Sequence, residues 1–160
     1  PVDRRQRQMC IRDSNYNDLY AETKGLLDQT VPLYTNLGNF VALLKHKSNW
    51  FWVGFYEVVG QQLILNAFQG PPACVKIPYG KGVCGKSWEL ETSIIVDNVN
   101  EFEGHIACNE ASKSEIVIPI FDSKKNIAFI LDIDHHTFNA FSKRDEIGIK
   151  KSISLIESLL

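Results

Sequence analysis

Three of the four cysteines lie in loop-like segments, where their thiols can react. Cys74 and Cys84 fall within a glycine- and proline-rich segment and Cys108 within a polar one, whereas structural cysteines usually lie in apolar elements. His105 precedes Cys108 by three residues and Lys113 follows it by five, and a nearby cation favours the nucleophilic thiolate. The pattern predicts a reactive Cys108 that is resolved by Cys74 or by Cys84.

A zinc site is the main alternative, because Cys74, Cys84, Cys108 and His105 together supply four suitable ligands. None of these cysteines forms a C-x2-C pair, and the ligands would have to come from separate loops. We therefore expect thiol redox chemistry with no bound metal and no organic cofactor.

A group of three carboxyl groups is predicted from strand register. The runs EIVIPIF and IAFILDID flank a short turn at residues 123–126, which is typical of an antiparallel hairpin. Placing their apolar faces together sets Glu115 opposite Asp134 and Val117 opposite Asp132 on the other face. Such carboxylates repel, so one keeps its proton to higher pH unless a cation neutralises the group. A solvated sheet face and a divalent-cation site remain the alternative interpretations.

An aromatic wall is predicted on an earlier strand. Trp52 and Tyr56 share one face of the run WFWVGFYEVV, with Gly54 between them, while Val53 and Phe55 share the other face. Large rings interrupted by glycine can line a pocket in which a ligand approaches the backbone. Ordinary core packing is the alternative use of these rings.

The elements that must hold these residues follow an α+β order. Helical periodicity runs over residues 16–46 with a break at Pro32, and two hairpins follow, separated by a loop segment that becomes helical near residues 83–90. A last helix begins at a capping-box pattern formed by Ser142 and Asp145. This order predicts an antiparallel sheet covered by helices on one side.

Composition limits the function further. Residues 15–160 have the size of one domain, while residues 1–14 are rich in arginine, lack periodicity and are predicted to be a disordered or non-native tail. A net charge of -2 with scattered lysines does not favour nucleic acid. No apolar run is long enough for a membrane span and no signal-peptide pattern opens the chain, so we expect a cytoplasmic protein.

Several segments together resemble a GAF domain of the free methionine-(R)-sulfoxide reductase type. The matching stretches are WVGFY from Trp52, FQGPPAC ending at Cys74, IPYGKGVCG around Cys84, GHIAC ending at Cys108, SEIVIPI from Ser114 and LDID from Leu131. The resemblance implies a GAF-like antiparallel sheet flanked by N- and C-terminal helices.

The resemblance also implies roles for the candidate residues. Cys108 would be the catalytic nucleophile, Cys74 the main resolving cysteine and Cys84 a secondary resolving or relay thiol. Substrate binding would fall to the three acids and the two rings, namely Glu115, Asp132, Asp134, Trp52 and Tyr56.

The expected activity is reduction of free L-methionine-(R)-sulfoxide through a cysteine sulfenic acid and an intramolecular disulfide. Thioredoxin or a similar dithiol donor would then reopen that disulfide. We expect free methionine sulfoxide and the donor as partners, and the chain could form a homodimer. A GAF domain that senses a small molecule without converting it is the alternative function.

Overall fold

The computed structural model describes the backbone of residues 4–160 and the side chains from residue 15 onward. In chain order the elements are α1 (Arg4–Leu26), α2 (Leu33–Lys47), β1 (Trp52–Val59), β2 (Gln62–Gln69), β3 (Lys76–Pro78), α3 (Gly82–Leu90), β4 (Ile94–Val96), a short 3-10 turn (Val99–Glu101), β5 (Ser114–Phe121), β6 (Ile127–His135) and α4 (Lys143–Glu157). Residues 1–3 and the side chains of residues 4–14 lie outside the described part, so the disordered or non-native tail stays a prediction.

The helix boundaries agree with the local sequence signals. Pro32 directly precedes α2 and has an extended backbone conformation. Proline cannot lie in the interior of a helix but is tolerated at the start of one, so it separates α1 from α2. At the start of α4, the Ser142 amide donates a 2.7 Å hydrogen bond to the Asp145 carboxylate, and the Ser142 side chain caps the helix in return. The predicted break and the predicted capping box are both confirmed. None of the helices within residues 4–160 is long and apolar enough to cross a membrane.

The strands form one six-stranded antiparallel sheet in the order β3-β2-β1-β6-β5-β4. Glu115 pairs with Asp134 and Val117 with Asp132, which confirms the register predicted from the apolar faces. Because β6 lies between β5 and β1, its two aspartates also have partners on the other side. Asp134 pairs with Trp52 across β1, and Asp132 pairs with the next residue of the same face, Gly54.

Both faces of the sheet are covered, so the expectation of helices on one side only is wrong. Helices α1, α2 and α4 pack on the face that carries Val53, Phe55 and Leu131. The short helix α3 packs on the opposite face, where Val83 and Cys84 join the second apolar cluster. Helix α3 confirms the helix predicted near residues 83–90, but the sequence did not indicate that this short helix covers the second face of the sheet.

Candidate active site

The three predicted acids meet on the α3 face of the sheet. Glu115 and Asp132 are buried at 5% and 7% exposure, and Asp134 is partly buried beside them. Ser112 donates a hydrogen bond to Oδ1 of Asp134, whereas Oδ1 of Asp132 is buried without a partner. The solvated-face alternative is therefore wrong, because these carboxyl groups line the interior of the protein.

Burial controls the protonation of Glu115, Asp132 and Asp134, which together form the acid cluster. Desolvation is the largest cause that raises the pKa of Glu115 and of Asp132 well above their ordinary range, and the charge of a neighbouring acid raises each further. Burial also raises the pKa of Asp134 to about 6, although the hydrogen bond from Ser112 opposes that rise. Near neutral pH the cluster therefore combines a carboxyl that keeps its proton with an ionised Asp134.

Cys74 and Cys108 form a disulfide bond at the same site. Their sulfur atoms are 2.03 Å apart and their Cα atoms 5.3 Å apart, although 34 positions separate them in the chain. Both residues are partly exposed. The loop before β3 and the loop before β5 thus bring together the two cysteines to which the resemblance gave the nucleophilic and main resolving roles.

Cys84 is a free, buried thiol in the first turn of α3. Its Sγ lies 4.0 Å from Oε1 of Glu115, and burial is the largest cause that raises the pKa of this thiol well above its ordinary value. Cys84 therefore remains a protonated thiol at neutral pH. It forms no disulfide here, but it belongs to the same site as the other two cysteines.

Trp52 and Tyr56 form one wall of the site. Their rings stack with centroids 6.1 Å apart, and the Trp52 indole also stacks on Phe68 at 5.5 Å. The indole N–H donates to the carbonyl of Pro71, and the Tyr56 hydroxyl donates a 2.9 Å hydrogen bond to the carbonyl of Cys74. Gly54 makes this possible, because a Cβ there would lie 2.2 Å from the Trp52 ring.

Most of these groups line one small cavity of about 40 Å³, although Cys74 does not. Trp52 and Tyr56 form part of its wall, and Cys84, Cys108 and the three residues of the acid cluster line it as well. A water molecule needs roughly 10–15 Å³ of such a cavity, so there is room for about three waters. In this disulfide-bonded state the cavity is therefore smaller than a whole amino acid.

Two polar residues of the site had no role in the sequence-based prediction of the acid cluster. Ser112 lies within a polar loop, and no local pattern indicates that its hydroxyl reaches Asp134. His105 was predicted to act as a cation beside Cys108. His105 lines the same cavity as Cys108, and its Nε2 lies 3.8 Å from Oε2 of Glu115. Burial lowers the pKa of the imidazole, which disfavours the predicted cationic form.

The geometry of the site also bears on the two metal-binding alternatives, the zinc site and the divalent-cation site. The predicted zinc ligands Cys74 and Cys108 are bonded to each other, so neither offers a thiolate in this state. Cys84, Glu115 and Asp132 have ligand atoms within 4.8 Å of one another and could together hold an ion. Burial raises the pKa values of all three groups, so an ion would have to displace their protons in order to bind.

Comparison with known proteins reveals close relatives along nearly the whole chain, although no protein-family model matches it. The chain is 41% identical to GAF domain-containing protein A of Dictyostelium discoideum, over 92% of this chain and 93% of that protein. It is 38% identical to the free methionine-R-sulfoxide reductase of Escherichia coli, over 91% of this chain and 88% of that protein. The Saccharomyces cerevisiae protein of the same name is 37% identical, over 86% of this chain and 81% of that protein.

Solved structures give the same result. The reduced form of fRMsr of Staphylococcus aureus superimposes with a TM-score of 0.87 at 40% identity, covering 91% of this chain and 95% of that one. The free methionine-R-sulfoxide reductase from Neisseria meningitidis, in complex with its substrate, gives a TM-score of 0.86 at 34% identity, covering 90% and 87%. A structure described as that of the GAF domain gives a TM-score of 0.87 at 34% identity, covering 91% and 87%, which confirms the predicted fold class.

Proposed function

The chain belongs to the GAF-domain family of free methionine-R-sulfoxide reductases and is thus an oxidoreductase acting on methionine sulfoxide, and we propose that it reduces free L-methionine-(R)-sulfoxide by thiol chemistry at Cys108. The observation that carries this proposal is the position of the Cys74–Cys108 disulfide. One end of this bond, Cys108, lines the same cavity as the three acids and the two stacked aromatic rings.

In the reduced protein, the Cys108 thiolate attacks the sulfur of the sulfoxide. The departing oxygen needs a proton, because expelling an unprotonated oxide would be very slow. Glu115 and Asp132 suit this task, since burial keeps at least one of them protonated near neutral pH. The protonated oxygen then moves to Sγ of Cys108 as the bond between the two sulfur atoms breaks, so methionine leaves and Cys108 becomes a sulfenic acid.

The selectivity for a free amino acid follows from the ionised member of the acid cluster. Asp134 is ionised above about pH 6 and can pair with the substrate ammonium group, which peptide-bound methionine lacks. Trp52 and Tyr56 offer a surface of aromatic rings for the methyl-sulfur group. These assignments explain why a cavity with so little room still carries three carboxyl groups.

The cycle closes when the Cys74 thiol attacks the sulfenic acid, which releases water and forms the Cys74–Cys108 disulfide. Thioredoxin or a similar dithiol donor then reduces that bond. Cys84 acts as a secondary resolving or relay thiol, because it is free and lies beside Glu115 in the same cavity. A reducing compartment, the cytoplasm, supplies the donor.

A thioredoxin-coupled assay tests the proposal by comparing free R, free S and peptide-bound methionine sulfoxides. We expect NADPH consumption with the free R substrate and little with the other two. Turnover of the peptide-bound form at an equal rate would contradict the proposed role of Asp134. Tight binding of the free sulfoxide without any turnover, under reducing conditions, would instead support a sensor that does not convert its ligand.

A further inference from the structure

His105 lies beside the buried acid Glu115 and is the more exposed of the two. The side chain of His105 is 16% exposed and that of Glu115 is 7% exposed, and Nε2 of the imidazole lies 3.8 Å from Oε2 of the carboxyl group. The other oxygen of Glu115, Oε1, faces the buried thiol of Cys84 at 4.0 Å. Of these two neighbours, His105 is therefore the one that connects Glu115 to solvent.

The imidazole also differs in kind from the other titratable groups of the cavity. Those on the neighbouring elements and in its own loop are Tyr56, Cys84, Cys108, Glu115, Asp132 and Asp134. Each of these is either neutral or negative, and among the described residues no lysine or arginine lines the cavity. Within that part of the chain, His105 is thus the only group of the cavity that can carry a proton as a cation.

We propose that His105 returns a proton from solvent to Glu115 after each reduction of a sulfoxide. This inference rests on the proposed reductase cycle, in which Glu115 is a candidate donor of the proton to the departing oxygen. A buried carboxyl group that gives up its proton must regain one before the next substrate can react. His105 acts through Glu115 and is a positioning residue for that proton.

The proton steps balance over one cycle. Glu115 gives its proton to the departing oxygen and becomes a carboxylate. The imidazole takes up a proton from a buffer acid, passes the proton on Nε2 to Oε2 of Glu115 and becomes neutral again, and exchange with water restores its starting tautomer. The proton taken from solvent replaces the one that Cys108 releases when it ionises, and no electron passes through His105.

Burial drives the proton from His105 toward Glu115. It lowers the pKa of the imidazole, so the cation gives up its proton readily, and it raises the pKa of Glu115 well above the ordinary value, so the carboxylate takes one up readily. A hydrogen bond would bring the two atoms from 3.8 Å to about 2.9 Å. Catalytic hydrogen bonds are often long without substrate and shorten when it binds.

Comparison of the first turnover with later turnovers tests this role. Glu115 begins with its proton, so His105→Ala should form the first methionine at the wild-type rate and slow only afterwards. Rapid quench of the reduced protein measures the first turnover, and the coupled assay at saturating thioredoxin measures the later ones. We expect the later turnovers to slow by about tenfold or more, because a proton-transfer group typically contributes about 10²–10⁴-fold and water can replace part of a relay.

Imidazole in the buffer separates proton transfer from a structural role. It should restore the later turnovers of His105→Ala in proportion to its concentration and leave the wild type unchanged. His105→Gln keeps a hydrogen-bond donor beside Glu115 but cannot carry a proton, so its later turnovers should also be slow. His46→Ala, at an exposed histidine of α2, is the matched control and should behave as the wild type.

Three results would overturn the proposal. A slow first turnover in His105→Ala would mean that the imidazole holds the site in shape. Wild-type rates in the later turnovers of either His105 variant would mean that the proton returns by another route, and so would a lack of response to imidazole. Failure of the proposed function gives a different result, in which the reduced wild type forms no methionine even in the first turnover.

Discussion

Replacing Asp134 by Asn should stabilise the protein in a manner that depends on pH. Burial raises the pKa of Asp134 from its ordinary value of 3.8 to about 6. At about 1.4 kcal/mol per pKa unit this corresponds to at most about 3 kcal/mol, since the carboxyl group is only partly buried. Because the folded chain holds this proton more tightly, the contribution to stability is complete below about pH 4 and is lost as the pH rises through 6.

The Asp134→Asn variant has no proton to lose at this position, so its advantage over the wild type should grow between pH 4 and pH 7. Urea unfolding of the oxidised protein at four pH values, followed by tryptophan fluorescence, gives the free energy of unfolding at each. Asp18→Asn, at an exposed aspartate, is the control for loss of one carboxylate. A stability difference that stays constant from pH 4 to pH 7 would refute the idea that burial of Asp134 costs stability.

The same variant should be a poorer enzyme while being a more stable protein. Loss of the carboxylate removes an ionic partner of the substrate ammonium group, so KM for free methionine sulfoxide should rise by roughly tenfold or more. Steady-state kinetics in the thioredoxin-coupled assay measures this, and unchanged KM and kcat would refute the role given to Asp134.

Other substitutions test the nucleophile, the support of the acid cluster and the aromatic wall. Cys108→Ser should abolish turnover in the coupled assay, and substantial remaining activity would show that another thiol is the nucleophile. Ser112→Ala removes the hydrogen bond that lowers the pKa of Asp134, so the acidic limb of the pH profile of kcat/KM should move to higher pH; an unmoved limb would contradict this support. Gly54→Ala should lower the free energy of unfolding by about 1–3 kcal/mol in urea titrations, because the new Cβ would lie 2.2 Å from the Trp52 ring; an unchanged midpoint would contradict that contact.

The strand register of the acid cluster could be predicted from the sequence because it depends on a period of two. Once the apolar faces of β5 and β6 are placed together, Glu115 must lie opposite Asp134. A slip of one residue would turn polar side chains toward the core beneath α1, α2 and α4. The same alternation placed Trp52 and Tyr56 on one face of β1. The burial of the acid cluster was not predictable, since the sequence predicted a helix near residues 83–90 but not the face of the sheet on which α3 packs.

The sequence by itself determined most of the element order, the pairing within the two hairpins and the likeness to a known family, because these depend on local patterns of residue type. The meeting of Cys74 and Cys108 was implied by the family resemblance alone, and only the tertiary structure decided that Ser112 supports Asp134 and that His105 approaches Glu115. The loops that carry these residues have no periodic pattern, so their paths are fixed by contacts with residues far away in the chain. The chemistry of the site therefore arises where predictable strands meet loops whose positions only the folded chain defines.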